Sequence, residues 1–498
     1  MPGNIPAFSI ATNPIPKDGS DYDMIVVGGG VLGSAFAATF GKQGKRVLML
    51  ERDLSEPDRI VGELLQPSGY NALKELGLAD CLEGIDAVPT YGYAVMRGSE
   101  QVLIPYASDK DTQKPVQGRS FHHGRFIQKL RAAASRTPNV TVVEATVNKV
   151  LYNDDGVRAT GVACTLKGAN DKKPLSDEDA ALEQHPSLSS ETTPQSTTVY
   201  RSPIVVIADG CFSKFRKQFL GKSVSISSHF VGIVLKDYIP PVKEHGHVIL
   251  ATPSPILMYQ ISPTETRMLI DVPGKLPSVS SGALRSYLEN TVQPQLPKAA
   301  QTPFLKALET QRLRTMPNSF LPPSTTSELG VIVLGDAMNM RHPLTGGGMT
   351  VALNDVLYLR DFLQGNVLTD QEVTMVQMEL FFWKRKELTA VINILAQALY
   401  ALFSGSNDNL VVLRNGCFSY FQQGGECTQG PVDLLSGMNR SRKTLAYHFY
   451  RVAFHSMWLM FHNASSFAEF PLLFVKALCI FWTACVVFLP LVWSECWA

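Results

Sequence analysis

Asp23-Met-Ile-Val-Val-Gly-Gly-Gly-Val-Leu-Gly-Ser34 is the stretch of this 498-residue chain from which its fold can be predicted. The apolar run Met24 to Val27 has the length and β-branched content of a buried parallel strand. Gly28, Gly30 and Gly33 follow with the spacing G-x-G-x-x-G, and an Ala-rich run then predicts a helix. In such a turn the first glycine permits the tight bend, the second lets the backbone approach a pyrophosphate, and the third lets helix and strand pack closely. The helix N-terminus adds unpaired N–H groups and a partial positive charge.

A second apolar strand, Arg46 to Glu51, supports this interpretation. Its terminal acid lies about 20 residues beyond the glycines, where a ribose hydroxyl needs an acceptor. An ordinary βαβ unit without a nucleotide is the alternative. The two strands and the turn between them predict a dinucleotide-binding α/β domain.

Composition limits the class of protein. The chain is 45% hydrophobic and 18% charged, as is typical of globular proteins, and its length allows two or three domains. A net charge of +1 provides no field that would recruit nucleic acid. The eight cysteines include no C-x-x-C pair, so neither a zinc site nor a disulfide framework is predicted, and a cytosol-facing domain is expected.

The middle of the chain alternates between strand-like and polar segments. Residues 168–199 are polar and Ser/Thr-rich, which predicts a disordered insertion between two strands of one sheet. Several strand-like runs between 228 and 330, joined by Pro/Ser turns, predict an antiparallel sheet. Tyr91 to Pro105 alternates like one strand, and Cys417 to Gly430 reads as an aromatic, glycine-rich connector.

The C-terminal region is strongly apolar. Two helices are predicted, Thr444 to Met460 and Phe470 to Trp493, and residues 471–493 carry one charge, Lys476. That length is sufficient to cross a bilayer. Lys476 and Pro490 weaken a spanning interpretation and favour a hairpin lying in the cytosolic leaflet, with basic residues near lipid headgroups. A buried helix pair packed on the soluble domain is the alternative. No secretory signal is predicted in residues 1–20, which contain four prolines.

Two further elements indicate which dinucleotide binds. Buried strands end at Asp209-Gly210 and at Gly335-Asp336, the usual ligand edge of an open α/β sheet. Gly346-Gly347-Gly348-Met349 then precedes a helix, whose N–H groups can stabilise negative charge on a reduced flavin. A glycine-rich connecting turn is the alternative. A nicotinamide dehydrogenase needs only the first glycine turn, so the additional elements favour FAD.

Longer runs extend this argument to a family. The chain resembles the squalene monooxygenase (squalene epoxidase) family of the flavoprotein monooxygenase superfamily. The runs that carry the resemblance span residues 58–78, 119–131, 208–217, 334–355, 393–404 and 421–437. Ser68 stands where the family pattern GELLQPGG has glycine, and the N-terminal extension of animal and plant relatives is missing, so the shorter fungal-type form is expected.

The resemblance implies an α/β fold in three regions. These are a Rossmann-like FAD-binding domain of the glutathione-reductase type, an antiparallel-sheet substrate domain, and a C-terminal helical membrane-associated region. After an N-terminal tail at 1–20, the expected ranges are 21–90, 119–225 and 329–365 for the FAD-binding domain, 91–118 and 226–328 for the substrate domain, and 366–498 for the C-terminal region.

The resemblance also implies an activity. FAD-dependent epoxidation of squalene with O2, through a C4a-hydroperoxyflavin, would give (S)-2,3-epoxysqualene on the route to ergosterol and other sterols. Electrons would come from NADPH through NADPH–cytochrome P450 reductase, and direct NADPH binding stays open. The expected location is the endoplasmic-reticulum (microsomal) membrane facing the cytosol, attached by the C-terminal helices, with lipid droplets as a second site.

Two other classes of protein are alternatives to this activity. One is a flavin monooxygenase that hydroxylates a polar aromatic substrate, which the apolar C-terminal helices argue against. The other is a Rab escort or GDP-dissociation-inhibitor-like protein that binds prenyl groups without flavin. Intact Asp336 and Gly346 to Met349 argue against the second.

The resemblance assigns site residues by motif. Tyr93 is expected to be catalytic and to line the substrate or inhibitor channel with Gln66; a structural strand tyrosine is the alternative. His122 and His123 point to opposite faces if they lie on a strand, so no metal is expected. The residues expected to contact FAD are Gly28, Gly30, Val31, Leu32 and Gly33 at the pyrophosphate, Glu51 at the adenosine ribose, Val147 at the adenine, Arg52, Arg59, Leu64 and Arg125 along the cofactor, Asp209 and Gly210, Asp336 near the ribityl chain, and Gly347, Gly348 and Met349 at the isoalloxazine.

Overall fold

Two seven-stranded sheets form the centre of the computed structural model, which describes residues 22–108, 113–167, 197–365, 368 and 370–497. Five strands of the first sheet are mutually parallel, and the remaining two continue it as an antiparallel edge. From edge to edge the strands are β10 (Thr197–Arg201), β9 (Ala159–Leu166), β8 (Val140–Tyr152), β2 (Val47–Glu51), β1 (Met24–Val27), β11 (Ile204–Ile207) and β17 (Val331–Val333).

The central strands of this sheet are buried on both faces because they are continuous apolar runs. All four residues of β1 and all four of β11 are buried. Helices α1 (Val31–Lys42), α2 (Pro67–Glu75), α3 (His123–Arg136) and α7 (Gly347–Phe362) contribute to the core on one face. The core on the other face includes side chains from β8, from β9 and from the short helix α4 (Arg216–Leu220). The carboxyl ends of the parallel strands meet at one edge of the sheet.

The second sheet is mixed. Its order is β16 (Arg314–Phe320), β12 (Ser225–Lys236), β15 (Glu265–Pro273), β14 (Ile256–Gln260), β13 (Gly246–Ile249), β5 (Gly92–Arg97) and β6 (Glu100–Pro105). Neighbours are antiparallel except β13 and β5, which are parallel. The prediction of an antiparallel sheet therefore needs this correction, because β5 and β6 enter the sheet from an earlier part of the chain. Helices α5 (Ala283–Tyr287) and α6 (Lys298–Thr310) cover one face.

A three-stranded ribbon consists of β3 (Leu64–Leu65), β7 (Gly118–Ser120) and β4 (Val88–Thr90), in that order. Along the sequence, these strands fall between strands of the two large sheets. The predicted single strand from Tyr91 to Pro105 is wrong: it is the hairpin of β5 and β6, which turns at Gly98 with φ of 58°. Of the predicted insertion, residues 168–196 lie outside the described residues. Thr197 to Val199 belong to β10, which pairs with β9.

The described chain from residue 371 onward is mostly helical. Its helices are α8 (Gln371–Ser404), α9 (Asp408–Gln422), α10 (Glu426–Leu435), α11 (Arg442–His462) and α12 (Phe470–Trp497). The predicted connector at Cys417 to Gly430 is wrong, because most of it belongs to α9 and α10. Residues 423–425 separate the two helices, and Gly424 and Gly425 among them have positive φ. Otherwise the predicted fold class is confirmed: a Rossmann-like α/β domain, a second sheet domain and C-terminal helices.

Two of the described helical segments are long and apolar enough to cross a membrane, residues 371–404 and 467–495. They differ in environment: 61% of the most apolar window of the first is buried in the protein, against 22% for the second. α8 therefore serves as a core helix, whereas α12 keeps most of its apolar surface exposed.

Candidate functional site: the glycine turn and the adjoining channel

The glycine turn connects β1 to α1 at the carboxyl edge of the first sheet. Gly28 has φ of 105°, and a Cβ there would overlap the backbone of Ala208 at the end of β11. A Cβ on Gly33 would overlap the carbonyl oxygen of Gly28. Gly30 differs, because no atom of the described residues lies within 4 Å of the position its Cβ would take. Two glycines thus permit close packing, and the third leaves an open face for a ligand.

Two side chains from other elements hold this turn. Glu51, at the end of β2, accepts a hydrogen bond from the N–H of Gly29 at 2.6 Å. Arg131, in the middle of α3, donates from Nε to the carbonyl oxygen of Gly29 at 2.8 Å and from a terminal nitrogen to Ser55 at 3.0 Å. Its guanidinium lies 3.6 Å from the Glu51 carboxylate. Arg131 is thus a site residue that the sequence interpretation missed; an arginine beside apolar residues of a helix was the available signal.

The turn after β11 is tied to the turn after β17 by one arginine. Arg216, the first residue of α4, donates hydrogen bonds to four carbonyl oxygens: those of Gly210 at 3.2 Å and Cys211 at 2.8 Å, and those of Asp336 and Ala337, both at 3.0 Å. This role was also missed from sequence, where Arg216 stood only as part of a motif.

Asp209 and Asp336 present carboxyl groups at these two turns. Oδ2 of Asp209 accepts from the N–H of Lys214 at 3.2 Å. Its Oδ1 is buried without a hydrogen-bond partner among the residues that the structure describes, and burial raises the pKa of the group. Asp336 is exposed to solvent, yet desolvation by the surrounding protein raises the pKa of its carboxyl group too. Arg341, Arg59 and Arg216 act in the opposite direction on Asp336.

The second glycine turn begins α7. Gly346 has φ of 62°, and Gly347 packs so closely on Ile392 of α8 that a Cβ would overlap it. Gly348 is open, with Nη1 of Arg341 4.0 Å from the position of its Cβ. Met349 is buried behind the turn. The first N–H groups of α7 therefore face an accessible space with an arginine beside it.

Tyr93 lies in a buried hydrogen-bonded cluster that borders this turn. Nε2 of Gln66 donates to the Tyr93 hydroxyl and, at 2.6 Å, to the carbonyl oxygen of Thr345. The hydroxyl of Tyr106 donates to Oε1 of Gln66 at 2.6 Å. The two tyrosine rings meet edge to face with centroids 6.0 Å apart. Burial raises the pKa of Tyr93 to about 12. Tyr93 and Gln66 are thus brought together, next to the residue that precedes Gly346.

A buried ion pair fixes the segment that carries Gln66. Arg267 of β15 donates from Nε and from a terminal nitrogen to the two oxygens of Glu63, each at 2.8 Å. The side chains are 8% and 1% exposed. The Tyr259 hydroxyl donates to the same carboxylate at 3.3 Å. Because Glu63 directly precedes β3 and Arg267 belongs to β15, this pair joins the three-stranded ribbon to the second sheet. Neither Glu63 nor Arg267 was among the residues predicted from the sequence.

The other predicted residues are distributed along the same region. Arg125 on α3 bonds to Asp86 at 2.9 Å, and Nη1 of Arg59 lies 4.0 Å from the sulfur of Cys211. Arg52 is exposed. Leu32, Leu64 and Val147 are buried, and Val31 is partly buried. Val31 and Leu32 both lie in α1. Of the two predicted non-ligand histidines, His122 contacts Glu265 at 2.8 Å and His123 contacts the carbonyl oxygen of Gly62 at 2.7 Å.

This site fits an extended flavin dinucleotide. The open face at Gly30, the Asp209 oxygen without a partner among the described residues, the exposed Asp336 and the open α7 N-terminus lie at the ends of parallel strands and at one helix start. Such a set provides backbone donors for phosphates and acceptors for hydroxyl groups. Together with the second sheet domain, it defines the class of FAD-dependent monooxygenases.

Comparison with known proteins agrees with this class and narrows it. The family model described as squalene epoxidase matches residues 201–474. Squalene epoxidase erg1 of Aspergillus fumigatus is 44% identical over 94% of this chain and 92% of its own length. Squalene monooxygenase of Mus musculus is 44% identical over 98% of this chain and 80% of its own length. The chain belongs to the squalene epoxidase family.

Among solved structures, the flavin-dependent brominase Bmp2 is similar in fold. Its TM-score is 0.63 at 14% sequence identity, covering 87% of this chain and 98% of the brominase. At that identity the similarity concerns the fold alone. It agrees with the two-sheet architecture derived above.

Proposed function

We propose that this chain catalyses the FAD-dependent epoxidation of squalene with O2 to (S)-2,3-epoxysqualene, in sterol biosynthesis. Electrons would come from NADPH through NADPH–cytochrome P450 reductase. The proposal is supported by the near-full-length similarity to squalene epoxidases. The structural observation that carries it is the hydrogen bond from Gln66, the partner of Tyr93, to Thr345. Through it an apolar, tyrosine-lined region adjoins the turn that begins α7.

In this proposal residues along the edge of the first sheet would hold FAD. Gly30 and the neighbouring residues of the turn would hold the pyrophosphate, Glu51 the adenosine ribose, and Asp336 the ribityl chain. Gly347, Gly348 and Met349 border the isoalloxazine, with the remaining predicted contacts at Val31, Leu32, Arg52, Arg59, Leu64, Arg125, Val147, Asp209 and Gly210. Reduced flavin supplies O2 activation and transfer of one oxygen atom to a terminal double bond.

The protein's own contribution is positioning, electrostatics and exclusion of water. The N-terminus of α7 and the guanidinium of Arg341 place positive charge where the flavin gains electrons. Tyr93, Tyr106 and Gln66 are buried, and Gln66 is hydrogen-bonded to both tyrosines, so this cluster would exclude bulk water from the region beside the α7 turn. A pKa of about 12 keeps Tyr93 protonated at neutral pH. Because the hydroxyl oxygen of Tyr93 accepts a hydrogen bond from Gln66, the hydroxyl proton of Tyr93 remains available for a hydrogen bond to another group.

The direct test is turnover. The purified protein, supplied with FAD, NADPH, the reductase and squalene, is expected to form 2,3-epoxysqualene, detectable by mass spectrometry. A yellow protein with active reductase and no such product would contradict the substrate assignment. A colourless protein that FAD cannot reconstitute would contradict the flavoenzyme proposal itself.

Tyr93→Phe is expected to lower turnover about two- to tenfold while bound flavin stays unchanged. The variant removes one hydrogen bond, worth about 0.5–1.5 kcal/mol, from the cluster of Tyr93, Gln66 and Tyr106, and it leaves both glycine turns unchanged. Single-turnover kinetics and flavin absorbance measure the two quantities. Tyr91→Phe, two residues earlier and only partly buried, is the matched control. Loss of flavin in Tyr93→Phe would show that Tyr93 acts at the cofactor and not in the channel.

We propose further that α11 and α12 attach the enzyme to the cytosolic surface of the endoplasmic-reticulum membrane as a hairpin. One stripe of α12, at Ala477, Ile480, Ala484 and Phe488, is buried against the protein, with spacing of three or four residues. Phe488 stacks on Phe449 of α11 at 4.3 Å. The opposite stripe is exposed and apolar. A helix packed along the domain in this way lies in one leaflet, where squalene is dissolved.

The double variant Leu478→Lys/Trp482→Lys is expected to weaken binding to phosphatidylcholine–phosphatidylserine vesicles by about a hundredfold or more. The two side chains are 56% and 70% exposed, and burying each large apolar side chain is worth about 1.5–3 kcal/mol. Vesicle co-sedimentation measures the change. Val279→Lys, at an apolar residue that is 57% exposed outside the hairpin, is the control. Equal binding of both variants would contradict a membrane role for this face.

A further inference from the structure

The last turns of α12 carry a buried carboxylate. Glu495 continues the buried stripe of this helix, seven residues beyond Phe488, and is 1% exposed. Its Oε1 accepts a hydrogen bond from Nδ2 of Asn393 on α8 at 2.8 Å. Its Oε2 is buried without a hydrogen-bond partner among the described residues. A carboxylate in an otherwise apolar helix is costly to bury unless it is compensated. Its position therefore requires an explanation other than packing.

Asn393 connects this carboxylate to the flavin turn. Its Oδ1 accepts from Nε of Arg341 at 2.6 Å, while its Nδ2 also contacts Oδ1 of Asn339 at 3.2 Å. A terminal nitrogen of Arg341 donates to Asn339 at 2.5 Å. The other terminal nitrogen of Arg341 is the one that lies beside Gly348. Hydrogen bonds thus connect Glu495 through Asn393 to Arg341, and the remaining terminal nitrogen of Arg341 lies beside the start of α7.

Charge explains why a carboxylate stands at the end of this path. Arg341, Arg385 and Lys386 are all buried, and their charges act on Glu495. Arg385 already has a partner, because Asp355 binds it through two hydrogen bonds at 3.0 and 2.8 Å. Burial raises the pKa of Glu495, and the hydrogen bond from Asn393 and the positive charges of the three basic residues act in the opposite direction. Glu495 comes from a helix that packs on the domain mainly through the apolar side chains of its buried stripe.

We propose that Glu495 is a positioning residue for the flavin site. Docked α12 holds the amide of Asn393 through Glu495, and Asn393 in turn orients the guanidinium of Arg341 beside Gly348. Seating of the membrane-facing helix and binding of the cofactor are therefore coupled. By thermodynamic linkage, flavin must then favour the docked helix as much as the docked helix favours flavin. This inference rests on the proposed flavin site and goes beyond it in giving the C-terminal helix a role there.

Three variants of the full-length protein in detergent test this proposal: Glu495→Ala, Glu495→Gln and a control, Glu379→Gln, at an exposed position of α8. FAD affinity is measured by fluorescence titration of the apo-protein. Docking of α12 is measured by limited proteolysis of residues 463–466, between α11 and α12, with and without FAD. We expect Glu495→Ala to weaken FAD binding roughly tenfold, the size of one hydrogen bond in a charged network. Glu495→Gln keeps an acceptor for Asn393 and should restore most of the affinity.

FAD is expected to protect residues 463–466 in the wild type and in Glu379→Gln, and to lose that effect in Glu495→Ala. Wild-type FAD affinity in Glu495→Ala would overturn the proposal, even if its helix is cleaved faster, because the role would then be structural alone. If Glu495→Ala does not fold, FAD affinity is compared between Glu495→Gln and a Glu495→Leu variant that folds. Tighter binding by Glu495→Gln supports the proposal, and equal affinities overturn the proposal. Absence of FAD binding by the wild type would instead contradict the proposed function.

Discussion

Gly33→Ala is expected to weaken flavin binding by about tenfold to a hundredfold. A Cβ at this position would overlap the carbonyl oxygen of Gly28 and come within 3.3 Å of Val26, and the first of these contacts is backbone. Backbone cannot move aside as a flexible side chain can, so α1 must shift away from β1. Overpacking of this kind costs about 1–3 kcal/mol, and it acts directly on the turn that cradles the pyrophosphate.

Gly30→Ala provides the matched comparison. No atom of the described residues lies within 4 Å of its added Cβ, so the apo-protein should melt at the wild-type temperature. The methyl group nevertheless projects into the open face at the turn, and FAD affinity should fall. Gly33→Ala should lose both stability and flavin affinity. Absorbance of bound flavin and thermal melting of the apo-proteins distinguish the two variants. Gly33→Ala that melts normally and retains full flavin would contradict the packing argument.

Arg267→Met is expected to destabilise the protein by about 3–5 kcal/mol near neutral pH. The substitution leaves Glu63, which is 1% exposed, as a buried carboxylate without its bidentate partner. Arg267 opposes the rise in the pKa of Glu63 that burial causes, so its removal raises that pKa further. Below its folded pKa, Glu63 is neutral and the uncompensated charge disappears. The deficit relative to the wild type should therefore shrink as pH falls and grow as pH rises.

The double variant Glu63→Gln/Arg267→Met should recover most of the lost stability, because no buried charge remains. Arg285→Met removes an exposed pair with Glu289 at 2.9 Å and should change stability by less than about 1 kcal/mol. Thermal unfolding midpoints at two pH values measure all four proteins. A deficit in Arg267→Met that does not depend on pH would mean that lost packing, and not the unpaired carboxylate, dominates.

The fold prediction succeeded where the determinants are local. The run from Met24 to Ser34 has steric requirements that glycine alone meets, and its strand, turn and helix follow from residues adjacent in sequence. It failed at Cys417 to Gly430, which helices α9 and α10 mostly occupy. Aromatic residues and glycines have weak helix propensity, and packing of Phe418 and Tyr420 in the core overrides it.

The candidate site divides in the same way. By itself the sequence predicted that a glycine turn, two strand-end acids and a second glycine turn belong to one ligand edge, because strand ends and glycine spacing are local features. Only the tertiary structure decided which side chains hold them: Arg131 at Gly29, Arg216 across two turns, Gln66 between Tyr93 and Thr345, and Glu495 at Asn393. These partners are mostly about one hundred or more residues apart. Their contacts depend on side-chain direction and domain packing, which no local pattern encodes.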